Sequence, residues 1–256
     1  MNSDLSGRQD TSDLPTREDD PRLDNWYHTI ELGSGLVSRG AYDHRSIVDC
    51  YGIPSSLKGK TALDVGTWDG FWSFELEKRG AERVVAIDVS CIGDFDWLPT
   101  VKAGLGTAAT RQSNFPLARA MRRSRVDRRI CSVYDLSPET VGVFDVVFCG
   151  DVLLHLHNPL KALLNIVSVT RELAIIQTSV ESEIEALRPD RPWLSFGLRS
   201  AETRIGSECT YWIFSTRALQ DMMEYAGFRH TEPQKPFRIP PSGVAATSVV
   251  GYVAAR

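Results

Sequence analysis

The chain is predicted to fold as a doubly wound α/β sheet. Three observations lead there. From Lys60 onward, short apolar runs alternate with stretches of helical period. The inner runs, Val143–Cys149 above all, are almost continuously apolar, as strands are when helices cover both faces of a parallel sheet. Finally, the stretch TALDVGTWDGFWSFE, Thr61–Glu75, runs from an apolar strand through a glycine-bearing turn into a helix.

The elements follow in order. Residues 1–24 hold seven acids and three arginines with little that could pack, and read as a disordered tail. Order is expected from Trp26-Tyr27-His28-Thr29-Ile30, followed by a short helix around Asp43–Tyr51 that Gly52 and Pro54 break. Strand 61–66 leads to helix 69–79, closed by Gly80, and then to strand 83–88. Segment 91–114 shows no clear period. Helix 115–125 and strand 129–133 come next, then strand 143–149 and helix 159–169, opened by Pro159. Strand 172–178 precedes a stretch, 179–212, that reads as an insertion. Helix 216–226 ends at Gly227, and strands near 229–235 and 246–254 finish the chain. The expected organisation is one domain over 25–256, with 25–58 as an N-terminal segment and 91–129 and 179–212 as insertions.

Bulk properties exclude several classes. With 256 residues, 42% hydrophobic and 24% charged, the chain is of globular composition. Its net charge of −4 does not suggest nucleic-acid binding over the whole surface, although a local basic patch remains open. The five cysteines are odd in number and widely spaced, with no CxxC, so neither a zinc site nor a disulfide framework is indicated. Reduced thiols and a cytoplasmic location are the expectation. The polar, acidic N-terminus is not a secretory signal, and no apolar run approaches the roughly 18 residues that span a bilayer.

The turn at Gly66 carries the chemistry. Strand 83–88 ends on Asp88, eighteen positions after Gly70. Such a unit holds a nucleoside-bearing cofactor at the strand tips: glycines admit the backbone, a helix N-terminus offers N–H groups, and the acid accepts hydrogen bonds from ribose hydroxyls. Three cofactors compete. A P-loop is excluded because Pro54 stands where its first glycine belongs and Lys60-Thr61 enters a strand rather than a helix. A dinucleotide is disfavoured because Trp68 occupies the place of the second glycine, where the backbone must approach a pyrophosphate. S-adenosylmethionine has a nucleoside but no phosphate, and its turn wraps an amino-acid tail, so the demand for glycine is looser.

With that cofactor, the chain from about Lys60 to the C-terminus resembles the class I methyltransferases. The matching pieces are Leu63-Asp64-Val65-Gly66, Gly70, Asp88, Val133-Tyr134-Asp135-Leu136 and Phe144-Asp145-Val146-Val147-Phe148. Trp26-Tyr27-His28-Thr29-Ile30, Asp64–Glu75 and Tyr211-Trp212 are similar to a subgroup related to the tRNA wobble-uridine methyl and carboxymethyl transferases. The resemblance implies a Rossmann-like, mostly parallel sheet of seven strands with the last antiparallel. It implies that Asp64 and Gly66 sit under the methionine amino group, that Trp68 and Gly70 shape the turn around the tail, and that Asp88 takes the ribose hydroxyls. Tyr134 and Asp135 would lie near the adenine, and Gly150 and Asp151 would border the transferred methyl. It also implies that the segment around His28 covers the cofactor. Asp135 has a second reading, as the N-cap of a turn with Ser137-Pro138, and Phe71, Trp72 and Phe74 read as helix core.

Methyl transfer from a sulfonium depends mainly on alignment and desolvation, and needs a base only where the nucleophile must shed a proton. His155, just beyond the fourth strand, and His28, among aromatics, are the candidate bases, with Asp151 beside the reaction. Each histidine could instead simply pack. His155 and His157 form a His-x-His pair without a third ligand, so no metal is expected. No cations are matched to the extra carboxylate of carboxyl-S-adenosylmethionine.

Two acceptors are open. The acidic balance and the aromatics Trp193, Phe196, Tyr211 and Trp212 favour a small molecule, stacked and methylated on oxygen or nitrogen. The seven arginines of 111–129 and four more in 188–204 would suit tRNA, or simply form a solvated face. A cofactor-binding protein without catalysis is the third possibility.

Overall fold

The computed structural model describes residues 14–110, 112–188, 190–197 and 210–253. Its centre is a sheet of seven strands: β1 Thr61–Val65, β2 Arg83–Asp88, β3 Asp127–Ile130, β4 Phe144–Gly150, β5 Thr170–Ser179, β6 His230–Pro233 and β7 Val244–Tyr252. The order across the sheet is β3-β2-β1-β4-β5-β7-β6, with β7 antiparallel to both its neighbours and the other neighbouring pairs parallel. A short strand, Phe237–Ile239, pairs with the start of β7 as an eighth member. The order reverses between β1 and β4, and ligands bind outside the carboxyl ends of strands at such a switch point.

Two apolar layers flank the sheet. On one face, Leu63, Val65, Val147, Cys149 and Ile176 pack under α4, Pro159–Ser168, and α6, Thr216–Ala226. On the other, Ala62, Val146, Phe148 and Ile175 pack under α1, Phe71–Lys78, and α3, Phe115–Arg122. The N-terminal segment belongs to this second layer: Leu23, Trp26, Ile30, Leu32 and Tyr51 are all buried there. Helix α1 is therefore enclosed on nearly every side, and Phe71, Trp72 and Phe74 are core as expected.

Several boundaries differ from the sequence reading. The expected tail reaches too far: residues 1–13 lie outside the described residues, but Pro21–Leu23 form a 3-10 turn and Leu23 is fully buried. The helix expected over Asp43–Tyr51 shrinks to a 3-10 turn, Val48–Tyr51. Asp43 accepts the Arg45 N–H at 3.1 Å, a local bond that competes with helix. Helix α3 stops at Arg122 because Arg123 turns left-handed, φ +53°, and β3 starts two residues early. The periodless segment contains α2, Pro99–Gly104, between two 3-10 turns. The second insertion holds α5, Ser182–Leu187, and a two-stranded ribbon, Leu194–Phe196 with Trp212–Phe214.

Candidate functional site

The turn after β1 is docked onto β2. The N–H groups of Gly66 and Thr67 both donate to the Ile87 carbonyl, at 2.9 and 3.1 Å. Gly66 has φ +76°, and a Cβ there would lie 2.3 Å from Val152 Cγ2. Trp68 is left-handed too, φ +44°, and its N–H donates to Asp88 Oδ2 at 2.7 Å. The other oxygen of Asp88 accepts the Val89 N–H at 2.8 Å. Asp64 lies beneath: it accepts Ser73 Oγ at 2.5 Å, and Ser73 shares a 2.8 Å bond with Thr67 Oγ1. Burial pushes the carboxyl of Asp64 upward.

A cavity of about 1230 Å³ opens at these strand tips. A single-ligand pocket spans roughly 300–1,000 Å³, so there is room for a cofactor and an acceptor together. Of the residues selected from the sequence, Gly66, Trp68, Asp88, Tyr134, Gly150, Asp151, His28 and His155 line it. Asp64, Gly70 and Asp135 do not. Asp64 is spent on organising the turn from within the core. Gly70 is left-handed, φ +97°, at the head of α1, where a Cβ would meet the rings of Phe74 and Phe115 at 2.6 and 2.8 Å. Asp135 is exposed, one residue past the wall that Ser132, Val133 and Tyr134 form.

One end of the cavity is aromatic. Trp68 meets Phe95 edge-on at 5.7 Å, and Phe95 stacks with Trp97 at 6.1 Å. Asp96, between them, accepts the Tyr134 hydroxyl at 2.5 Å and the His157 N–H at 2.6 Å. The backbone carbonyl of Asp96 accepts the Tyr211 hydroxyl. Burial and the bond to Asp96 both push the Tyr134 phenol up.

The other end is built by residues the sequence reading did not select, two of them within the 25–58 segment expected to cover the cofactor. Tyr42 and His44 come from the N-terminal segment, Gln177 and Ser179 from the tip of β5, and Arg238, Ile239, Val244 and Ala245 from the strand pair at the C-terminus. Asp151 is left-handed, φ +48°, with Ser179 Oγ donating to it at 3.2 Å, and burial raises its carboxyl. Gln177 is buried, with its side chain beside Asp151. His44 bonds Tyr51 Oη at 2.7 Å, and burial pushes it down to about 2, so it is neutral. The only sequence signal for the C-terminal wall was the turn-forming Pro240-Pro241-Ser242-Gly243 between two apolar runs.

The two candidate bases differ. His155 is half-buried at the end of a 3-10 turn, Leu153–His155. His28 is buried, and its Nδ1 pairs with Asp69, a residue that is itself fully buried. Asp69 was missed because it reads as one more member of the turn motif. Among the described residues, no group of three or more His, Cys, Asp or Glu could hold a metal ion, and no helix is long and apolar enough to cross a membrane.

None of the described arginines of 111–129 lines the cavity. Arg111 lies outside the described residues. Arg122 lies over the Phe74 ring at 5.1 Å, Arg128 over Phe115 at 5.6 Å, and Arg129 pairs with Asp127 at 2.7 Å. Arg119, Arg123 and Arg125 are exposed. At the cavity wall, Arg39 is engaged by Asp24 and two carbonyls, and Arg238 donates to the Gly243 carbonyl.

A family described as a methyltransferase domain matches residues 47–232. This chain belongs to that methyltransferase family. Its donor is S-adenosylmethionine, and the residues fit it: Asp88 lines the cavity with lone pairs left over after its two N–H bonds, and Gly66, where a Cβ would strike Val152, brings bare backbone to the wall. Among solved structures, the methyltransferase is similar to the N-terminal domain of EvdMO1, solved in the presence of S-adenosylhomocysteine and D-fucose. Identity is 17%, the TM-score is 0.57, and the match covers 91% of this chain and 93% of that one. It is also similar to the tRNA U34 carboxymethyltransferase of Helicobacter pylori (strain Shi470), 26% identical over 176 residues, and to that of Marinobacter nauticus, 29% identical over 177. Those matches cover 69% of this chain, and 59% and 46% of the two relatives.

Asp88 should make donor affinity depend on pH. Burial raises its carboxyl to about 6, against the two N–H bonds that hold it down. Ribose hydroxyls donate to the carboxylate, not to the acid. Affinity for S-adenosylhomocysteine is therefore expected to be flat above pH 7 and to fall roughly tenfold per unit below about 6. Calorimetry at pH 8, 6 and 5 checks this, and a flat profile would exclude the ribose contact.

Proposed function

We propose that this methyltransferase carries a methyl group to an oxygen or nitrogen of a small-molecule acceptor. The observation behind this reading is that the end of the cavity around Tyr42, Gln177 and Ile239 is walled by three separate parts of the chain. When bound, S-adenosylmethionine supplies an electrophilic methyl on a sulfonium that needs no further activation. The chain's own residues exclude water and hold the acceptor in line, the two effects that matter most for such a displacement. The basic segment supports the same reading, since two of its arginines lie on rings and one in an ion pair.

Methylation of a tRNA wobble uridine is the second reading, favoured by the names of the curated relatives and by the exposed Arg119, Arg123 and Arg125. Incubation with labelled donor separates the two, using bulk tRNA in one reaction and a metabolite extract of the source organism in the other. Label is expected in the metabolite fraction. Reversing Arg119, Arg123 and Arg125 to glutamate is expected to leave that transfer within twofold. Label in tRNA, lost in the triple variant and at higher salt, would replace the small-molecule reading with the tRNA one. Arg122 is unsuitable for this test because its guanidinium packs on Phe74 and donates to the Glu31 carbonyl.

A further inference from the structure

We infer that His28, held by Asp69, is the general base of the reaction, and that the acceptor atom is therefore a hydroxyl oxygen. The inference rests on the methyl-transfer reading above and narrows it to alcohols and phenols.

Asp69 is enclosed, yet all its bonds come from one place. Oδ2 accepts the N–H of Tyr27 at 3.1 Å and of His28 at 2.9 Å, while Oδ1 takes His28 Nδ1. The carboxylate thus fixes both the backbone and the ring of the same histidine. Asp69 accepts only, so Nδ1 carries the proton, which leaves Nε2 as the basic nitrogen. That ring lines the cavity, between Tyr27 at 4.7 Å, His44 at 5.2 Å and Phe71 at 5.5 Å. The charged and titratable groups facing it are Asp69 from the turn, Asp64 from β1, Asp151 from the tip of β4, and His44, Tyr27 and Tyr42 from the N-terminal segment. His44 is bonded to Tyr51 and uncharged, so no cation among these competes with proton uptake.

A base so built has a task only if the nucleophile must lose a proton as it attacks. A neutral amine attacks through its lone pair and can lose its proton to water afterwards. A hydroxyl gains from having the proton removed during attack. As the oxygen–methyl bond forms, the methyl–sulfur bond breaks and its electron pair stays on sulfur, turning the sulfonium into a neutral thioether. The hydroxyl proton passes to His28 Nε2, and from there to water after release. Asp69 is a positioning residue in this scheme. It sets the tautomer and offsets the charge that forms on the ring.

The experiment has two arms. In the first, nitrogen NMR of the protein labelled in its histidines reads the state of His28 at pH 8. The expected result is a proton on Nδ1 and none on Nε2. In Asp69→Asn, whose amide donates to Nδ1, the proton should move to Nε2. A proton on Nε2 in the unaltered protein would overturn the inference, whatever the acceptor proves to be. In the second arm, kcat and KM are measured with the fraction of the extract that takes label. His28→Ala is expected to lower kcat by about 10²- to 10⁴-fold, with affinity for S-adenosylhomocysteine within threefold and partial rescue by added imidazole. Asp69→Asn should lower kcat on the order of 10²-fold or more without raising KM. The labelled product should release its methyl as methyl iodide under ether cleavage and resist alkali. Label fixed on nitrogen, or His28→Ala at near-full rate, would sink the inference while leaving the small-molecule reading intact. Label in tRNA alone would sink that reading and leave the base to be judged by the tautomer.

Discussion

Replacing Asp88 with alanine is expected to weaken S-adenosylhomocysteine binding by at least 100-fold and to abolish its thermal shift. The effect is large because one carboxylate does two things. It lines the cavity, where we propose that it takes the ribose hydroxyls, and it accepts the N–H groups of Trp68 and Val89. Alanine removes the ribose contact and leaves both N–H groups without their acceptor, at about 1–3 kcal/mol for each left unsatisfied. Trp68 is held at φ +44°, a conformation a bulky residue rarely takes unaided. Losing the bond at its N–H lets the turn relax away from the shape that fits the donor. Asp88→Asn keeps one acceptor oxygen but points an amide at an N–H, so an intermediate loss is expected. Calorimetry and melting curves with and without ligand decide it. An unchanged shift in Asp88→Ala would remove Asp88 from the donor site.

The second large effect is expected from Gly40→Ala, a change that adds one methyl group in the N-terminal segment. Gly40 belongs to a short strand, Gly40–Tyr42, that runs parallel to Trp26–His28. A Cβ on Gly40 would lie 2.1 Å from the His28 carbonyl carbon and 2.3 Å from the Thr29 nitrogen. These are backbone atoms, so no rotamer relieves the clash and the two strands must part. Trp26 and Tyr42 move with them, and the ring of His28 leaves the line of the cavity. Turnover is expected to drop at least 100-fold, with a lower melting temperature and donor binding reduced far less than turnover. Donor binding abolished together with activity, in a protein of normal melting temperature, would contradict this, because Gly66 and Trp68 are tied to Ile87 and Asp88 by bonds of their own.

The fold was legible because it is written in local signals. Continuous apolar runs such as Phe144–Cys149 and helix stops such as Gly227 act within a few residues, and they survive folding unchanged. The turn at the strand tips was legible for a related reason. Gly66, Trp68 and Asp88 lie close in sequence, and their φ angles and bonds are dictated by the turn itself. Asp64, Gly70 and Asp135 belong to the same motifs, but a motif does not reveal which side chain faces inward. Asp64 turned to Ser73, and Asp135 to solvent. The far end of the cavity was hidden because it is assembled from Tyr42, Gln177 and Ile239, distant positions with no common pattern. The pairing of His28 with Asp69 spans 41 positions and was hidden in the same way. The arginines left the acceptor open for another reason: a guanidinium over Phe74 and one in open solvent look alike in a sequence.

Asp96 gives the roof of the cavity a mechanical character. Its partners Tyr134, His157 and Tyr211 lie 38, 61 and 115 positions further along the chain. Three stretches that could each have swung on its own hinge are riveted at one residue. The wall at the aromatic end is therefore pinned at one point, the Tyr134 and His157 bonds through the Asp96 carboxylate and the Tyr211 bond through its backbone carbonyl.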